Sequence, residues 1–258
     1  MNAERWAQRV IEEELRRAVD LHDDQSKPSM FDLRVGPVDA PEIAIECIGA
    51  VDPVRTETWN IGPAKGPLHL DLEGDWMVSL VRTARIKKLE ARLEPILRRC
   101  ERIGLIENLR VDWEMKRRQP ELFAELWDLG IEWASCHRSP GRGEVHLEME
   151  GIGGAGDTQG TAIPLWIRDF LEAPERTDVL YKLARSGAAE CQAFVIVEFG
   201  GATFSVESYL EGSLDFLPPA PPILPAPVIG VWLISTLSRN RMGVRWTGTN
   251  WKHFSAPS

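Results

Sequence analysis

Residues 31–48 read FDLRVGPVDAPEIAIECI. Two runs of β-character, FDLRV and EIAIECI, flank a turn-rich GPVDAP. Each run carries one carboxylate in apolar company, Asp32 and Glu46. Carboxylates are depleted in strands and are seldom buried without a partner. The pair is therefore a metal site, two solvated side chains, or a site that has lost a part.

Upstream, the spacing predicts an amphipathic helix over 3–19, with Trp6, Val10, Ile11 and Leu15 on one arc. Glu14 falls inside that arc, so its side chain is expected to turn inward, towards Asp32, Glu46 or a basic partner beside them. Downstream, DWMVSLV (75–81) reads as a third strand of the same sheet, since sequential strands usually pair. A helix is expected over 84–103, kinked or broken at Pro95, and another over 120–130 with Gly130 as its C-cap. EVHLEME alternates as a strand should. Helix is again expected over 161–186, interrupted near Ala173-Pro174.

CQAFVIVEF is apolar nearly throughout, as in a strand buried on both faces, and FSVESYL is expected to pair with it as a hairpin. LPPAPPILPAP (217–227) is a stiff, extended connector leading into strands within 228–258. The whole reads as a single α/β domain, a mixed β-sheet with flanking helices.

The composition, 43% hydrophobic and 27% charged, suits an ordinary soluble globular chain. No apolar run reaches the length of a membrane span. The four cysteines form no CxxC pair, which argues against a zinc site or a disulfide framework and for a reducing, cytoplasmic setting. A net charge of −9 counts against tight non-specific binding of nucleic acid, although positive charge gathers between Arg82 and Arg102. The glycines of GIGGAGDTQG match no phosphate-binding motif, His137 and His146 lack a third ligand, and no GxSxG is present. Ten tryptophans are scattered along the chain, and a stacking platform for single-stranded nucleic acid would need several of them exposed on one face.

A helix bearing a glutamate, a strand bearing Asp and a strand bearing Glu-x-x resemble the core of the PD-(D/E)XK, or restriction-endonuclease-like, nucleases. SMFDLRV resembles the PD strand, with Phe31 in place of proline, and IAIECI resembles the (D/E)xK strand. The resemblance covers residues 8–48 and extends loosely to CQAFVIVEF. It places a restriction-endonuclease-like core in the N-terminal half. Within that superfamily the chain is similar to an actinobacterial group with a degenerate motif.

The resemblance implies that Asp32 and Glu46 bind Mg²⁺ or Mn²⁺, with Glu14 as a third, outer carboxylate, and that the substrate is DNA. Ile48 stands where the motif has lysine. The missing cation would then come from another element, with Lys27, Lys65 and Arg55 as candidates. The alternative is a catalytically inactive interaction protein on the same fold, with a protein partner.

Overall fold

The computed structural model describes residues 2–23, 30–85, 89–149 and 156–257. It is mixed α/β, with two mixed sheets and eight α-helices among the described residues. The chain opens with α1 (Ala3–Leu15), β1 (Asp20–Leu21), β2 (Leu33–Val35) and β3 (Ile43–Ala50). Then come α2 (Pro53–Ile61), β4 (Leu68–His69), β5 (Asp75–Leu80), α3 (Leu89–Arg102), β6 (Leu109–Arg110), α4 (Trp113–Arg118), α5 (Pro120–Leu129), β7 (Ile131–Arg138) and β8 (Glu144–Met149). It closes with α6 (Ile163–Leu171), α7 (Thr177–Arg185), β9 (Glu190–Val197), α8 (Phe204–Glu211), β10 (Val228–Ser235), β11 (Met242–Trp246) and β12 (Trp251–Ser255). The sequence reads as one domain, whereas the chain gathers into two compact units: Met1–Val51 with Gly154–Ser258, and Asp52–Gly153.

The first unit is a seven-stranded sheet in the order β1-β2-β3-β9-β10-β11-β12. β3, β9 and β10 run parallel, and the remaining pairs are antiparallel. β9 is the apolar run CQAFVIVEF, and both its faces are covered. Ala193 and Val195 join a core with Ile163 and Ile167 of α6, Leu183 of α7 and Val206 of α8. Phe194 and Ile196 face the other way, into a core with Ala7, Val10 and Ile11 of α1. Phe194 forms a triangle of rings with Trp232 and Phe254, at centroid distances of 6.1 and 6.3 Å, and those two meet at 5.2 Å. Its burial contributes about 1.5–3 kcal/mol.

Helix α1 is capped by Asn2, whose side chain accepts from the Arg5 N–H at 3.0 Å. It stops at Leu15, four residues short of the expected end, because Arg16 takes a left-handed conformation (φ 53°). The proline-rich connector is tied down where Trp251 Nε1 donates to the Ala220 carbonyl at 2.7 Å.

The second unit has its own five-stranded sheet, β4-β8-β5-β7-β6, and its own core. Trp76, Val78 and Leu80 of β5 pack there with Leu93 and Leu97 of α3 and Leu122 and Leu126 of α5. This corrects the placement of DWMVSLV, which is β5 and pairs with β7 and β8, not with β3. Besides β2, the neighbour of β3 is β9, reached through α6 and α7 after a hundred-residue excursion that the rule of sequential pairing cannot anticipate.

FSVESYL is also corrected. It is helix α8, with Val206, Tyr209 and Leu210 buried at helical spacing, and Glu207 Oε1 accepts from the Ala202 N–H ahead of the helix at 3.2 Å. Helix α3 runs through Pro95 without a break, and Gly130 does end α5, at φ 75°. Of the helix expected over 84–103, residues 84 and 85 are not helical and 86–88 lie outside the described residues, as do the candidate Lys27 and residues 151–155 of the glycine loop.

Candidate active site

The β2–β3 ladder pairs Val35 with Ile43 and Leu33 with Ile45. One step further along this antiparallel register, Asp32 comes opposite Glu46. Both are buried, 8% and 2% exposed. Asp32 Oδ2 accepts the Cys47 N–H at 2.7 Å, which anchors its carboxylate to β3. Alternation along β3 sends Ile45 and Cys47 to the α1 face and Ala44, Glu46 and Ile48 to the face of α6 and α7. Ile48 is 4% exposed and sits in that core beside Val195, so the motif's third position is filled by packing.

A cation reaches Glu46 from α7. Val179 and Leu183 turn that helix into the core, and Lys182, at the edge of the same face, puts Nζ 2.9 Å from Glu46 Oε1. The Lys182 side chain is 22% exposed and that of Glu46 3%, so the pair lies just beneath the surface. Glu46 Oε1 is buried without a hydrogen bond of good geometry. Its close neighbour is therefore an ion pair at short range, and the oxygen keeps acceptor capacity.

The electrostatics follow from this crowding. Burial above all, then the side chain and charge of Asp32, push the Glu46 carboxyl up to about 9, against the opposing pull of Lys182. Burial lowers the Lys182 ammonium, but Glu46, Asp32 and Asp178 together outweigh it, and its pKa is raised. The Cys47 thiol is held well above its usual range by burial and by Asp32, Glu46 and Glu4.

Glu4, in the first turn of α1, is the helix carboxylate that feels this site. Burial, then Asp32 and Asp23, raise its pKa, and Lys182 opposes them. The sequence pattern favours Glu14 instead. Glu14 does turn inward, but its Oε1 pairs with Arg245 on β11 at 2.9 Å, and β9 and β10 separate β11 from β3. Ten residues of α-helix carry Glu14 about 15 Å along the axis from Glu4. The structure thus brings together Asp32, Glu46 and Lys182, with Glu4 in electrostatic range, and leaves Glu14 elsewhere.

Lys65 and Arg55 belong to the second unit. Lys182 left only a weak trace in the sequence, a lysine at the margin of an amphipathic face, which many surface helices share. Glu4 reads from sequence as an ordinary acidic residue favoured near a helix N-terminus.

Asp32 and Glu46 offer hard carboxylate oxygens of the kind Mg²⁺ prefers, one of them still able to accept, and Mg²⁺ commonly binds through one or two carboxylates while keeping several waters. The donors suit such an ion in kind. Among the described residues no group of three or more His, Cys, Asp or Glu stands close enough to hold a metal by itself. His137 and His146, with ring centroids 6.1 Å apart, do not form one. No family model, no curated protein and no solved structure matches this chain.

Proposed function

We propose that the first unit is a metal-dependent phosphodiesterase acting on DNA, of the PD-(D/E)XK kind, with Lys182 serving in place of the lysine that Ile48 displaces. The observation that carries this reading is the trio Asp32, Glu46 and Lys182, with Nζ 2.9 Å from Glu46 Oε1. The element order supports it as well: a helix, three strands, then a helical crossover to a fourth strand parallel to β3.

In this reading Asp32 and Glu46 would hold Mg²⁺ or Mn²⁺. Such an ion would supply polarisation of the phosphodiester and a more acidic bound water. Asp32 is positioned by its hydrogen bond from Cys47. Lys182, at the same edge of the site, would supply a cation for a phosphate oxygen or the attacking water. Hydrolysis then adds water across one P–O bond, and the departing sugar oxygen leaves with a proton.

The test is cleavage of plasmid and of short single-stranded DNA with Mg²⁺ or Mn²⁺. Lys182→Met and Glu46→Gln should each lower the rate about a hundredfold or more, with circular dichroism unchanged. Equal rates for the variants and the unaltered protein would end the proposal. A second reading, an inactive interaction module on this fold, is favoured by the Glu46–Lys182 contact itself, which gives the buried carboxyl a polar partner with no metal. It predicts no cleavage and a melting temperature indifferent to either ion.

A further inference from the structure

Helices α4 and α5 of the second unit carry the two most exposed large hydrophobic residues among those described, Trp113 at 71% and Trp127 at 65%. Neither is needed for the core, which α5 fills with Leu122, Leu126 and Leu129. The rings are linked in a row. Arg117 lies 5.4 Å over Trp113, one turn along α4. Lys116 lies 5.7 Å over Phe123 of α5. Phe123 in turn stacks on Trp127, at 5.7 Å and 18°.

The acids of these helices are largely used already. Glu114 pairs with Arg118, Glu125 with Arg99, and Asp128 with both Arg85 and Arg92, while Glu121 alone has no basic partner among the described residues. Lys116 and Arg117 pair with no carboxylate among the described residues, and both are exposed.

We infer that this row is a docking surface for single-stranded nucleic acid, with Trp113 and Trp127 stacking on bases and Lys116 and Arg117 meeting phosphates. Flat rings interleaved with cations are what a strand with unstacked bases can use. A duplex hides its base faces and leaves the rings without partners. An anionic membrane fits less well, because Trp113 and Trp127 are the only large apolar side chains exposed on α4 and α5, and no Leu, Ile, Val or Met is exposed beside them on these helices. The choice of nucleic acid over a protein partner rests on the phosphodiesterase reading of the first unit.

The test uses the full chain carrying Glu46→Gln, in EDTA, so that hydrolysis plays no part. Fluorescence anisotropy of a labelled 20-nucleotide oligothymidine should show saturable binding at low salt. Trp113→Ala and Trp127→Ala should each weaken it at least about fivefold, while Trp113→Phe keeps most of it. Lys116→Ala with Arg117→Ala should lower the salt slope by about 1.4, the value for two single-strand phosphates. Melting curves identify any variant that has failed to fold.

Absence of binding by the parent, affinity unchanged in both tryptophan variants, or binding of phosphatidylserine vesicles in place of the oligonucleotide would each overturn the inference. Binding that depends on the rings, in a protein that never cleaves DNA, would uphold this surface and sink the phosphodiesterase reading. Cleavage without such binding would do the reverse.

Discussion

Glu46 and Asp75 are both buried carboxylates on sheet strands, one in each unit, 2% and 4% exposed. They have opposite surroundings. Asp75 Oδ1 accepts the backbone N–H of Arg142 at 2.5 Å and of Glu144 at 3.1 Å, and these bonds hold its pKa below the usual range. Glu46 receives no such backbone donors among the described residues, faces Asp32 across the hairpin, and is pushed up to about 9. A carboxylate that accepts from two backbone donors locks a loop onto a strand and is held in its ionised form. One held against a second carboxylate, with an oxygen still able to accept, is costly to the fold and available to chemistry.

The largest expected effect breaks this comparison on the structural side. Asp75→Ala removes the acceptor of two part-buried N–H groups, and it should lower the melting temperature more than Glu46→Gln or Glu14→Gln does. Glu46→Gln, at the same depth, should leave the melting temperature at neutral pH unchanged or raised. Thermal melts of Asp75→Ala and Glu46→Gln side by side check this. A greater loss from Glu46→Gln would mean that its ion pair is a structural necessity.

A smaller effect lies in the pH dependence of Glu46. The unfolded chain releases this proton near 4.5, whereas the folded state keeps it to about 9. Between those values the folded state binds more protons than the unfolded one, so stability falls as pH rises and levels off above about 9. One proton corresponds to at most about 1.4 kcal/mol per pH unit. Denaturant titrations at several pH values in that window, with a chelator present, should show a shallower decline for Glu46→Gln. Identical slopes would show that Asp32 and burial do not hold the proton.

The smallest effect concerns Glu14. Its pair with Arg245 is partly exposed, 26% and 12% at the side chains, and Arg245 also packs 4.7 Å over Trp232. Glu14→Gln should cost about 1 kcal/mol or less, about 2–4 °C in melting temperature, and should leave DNA cleavage untouched. A loss of cleavage comparable to that of Lys182→Met would return Glu14 to the site.

Local pattern by itself determined a good part of this protein. Alternation and turn residues mark β2 and β3 and put Asp32 at the entry to one and Glu46 on the other. The unbroken apolar run of β9 announces a strand buried on both faces. Gly130 ends α5 because only a residue at ease with positive φ closes a helix that way. These are decisions of nearest neighbours along the chain, where sterics and periodicity act.

What the tertiary structure decided lies at long range. β5 could not be assigned to its own sheet from its residues, because DWMVSL suits either sheet and only the cores show which it completes. FSVESYL has the β-branched and aromatic residues of a strand, yet burial of Val206, Tyr209 and Leu210 together is available only to a helix. Lys182 stands 136 positions from Glu46 in sequence and 2.9 Å from it in space. Which lysine meets that carboxylate depends on the angle at which α7 packs on the sheet. That angle is set by the sum of many apolar contacts, and no single residue carries it.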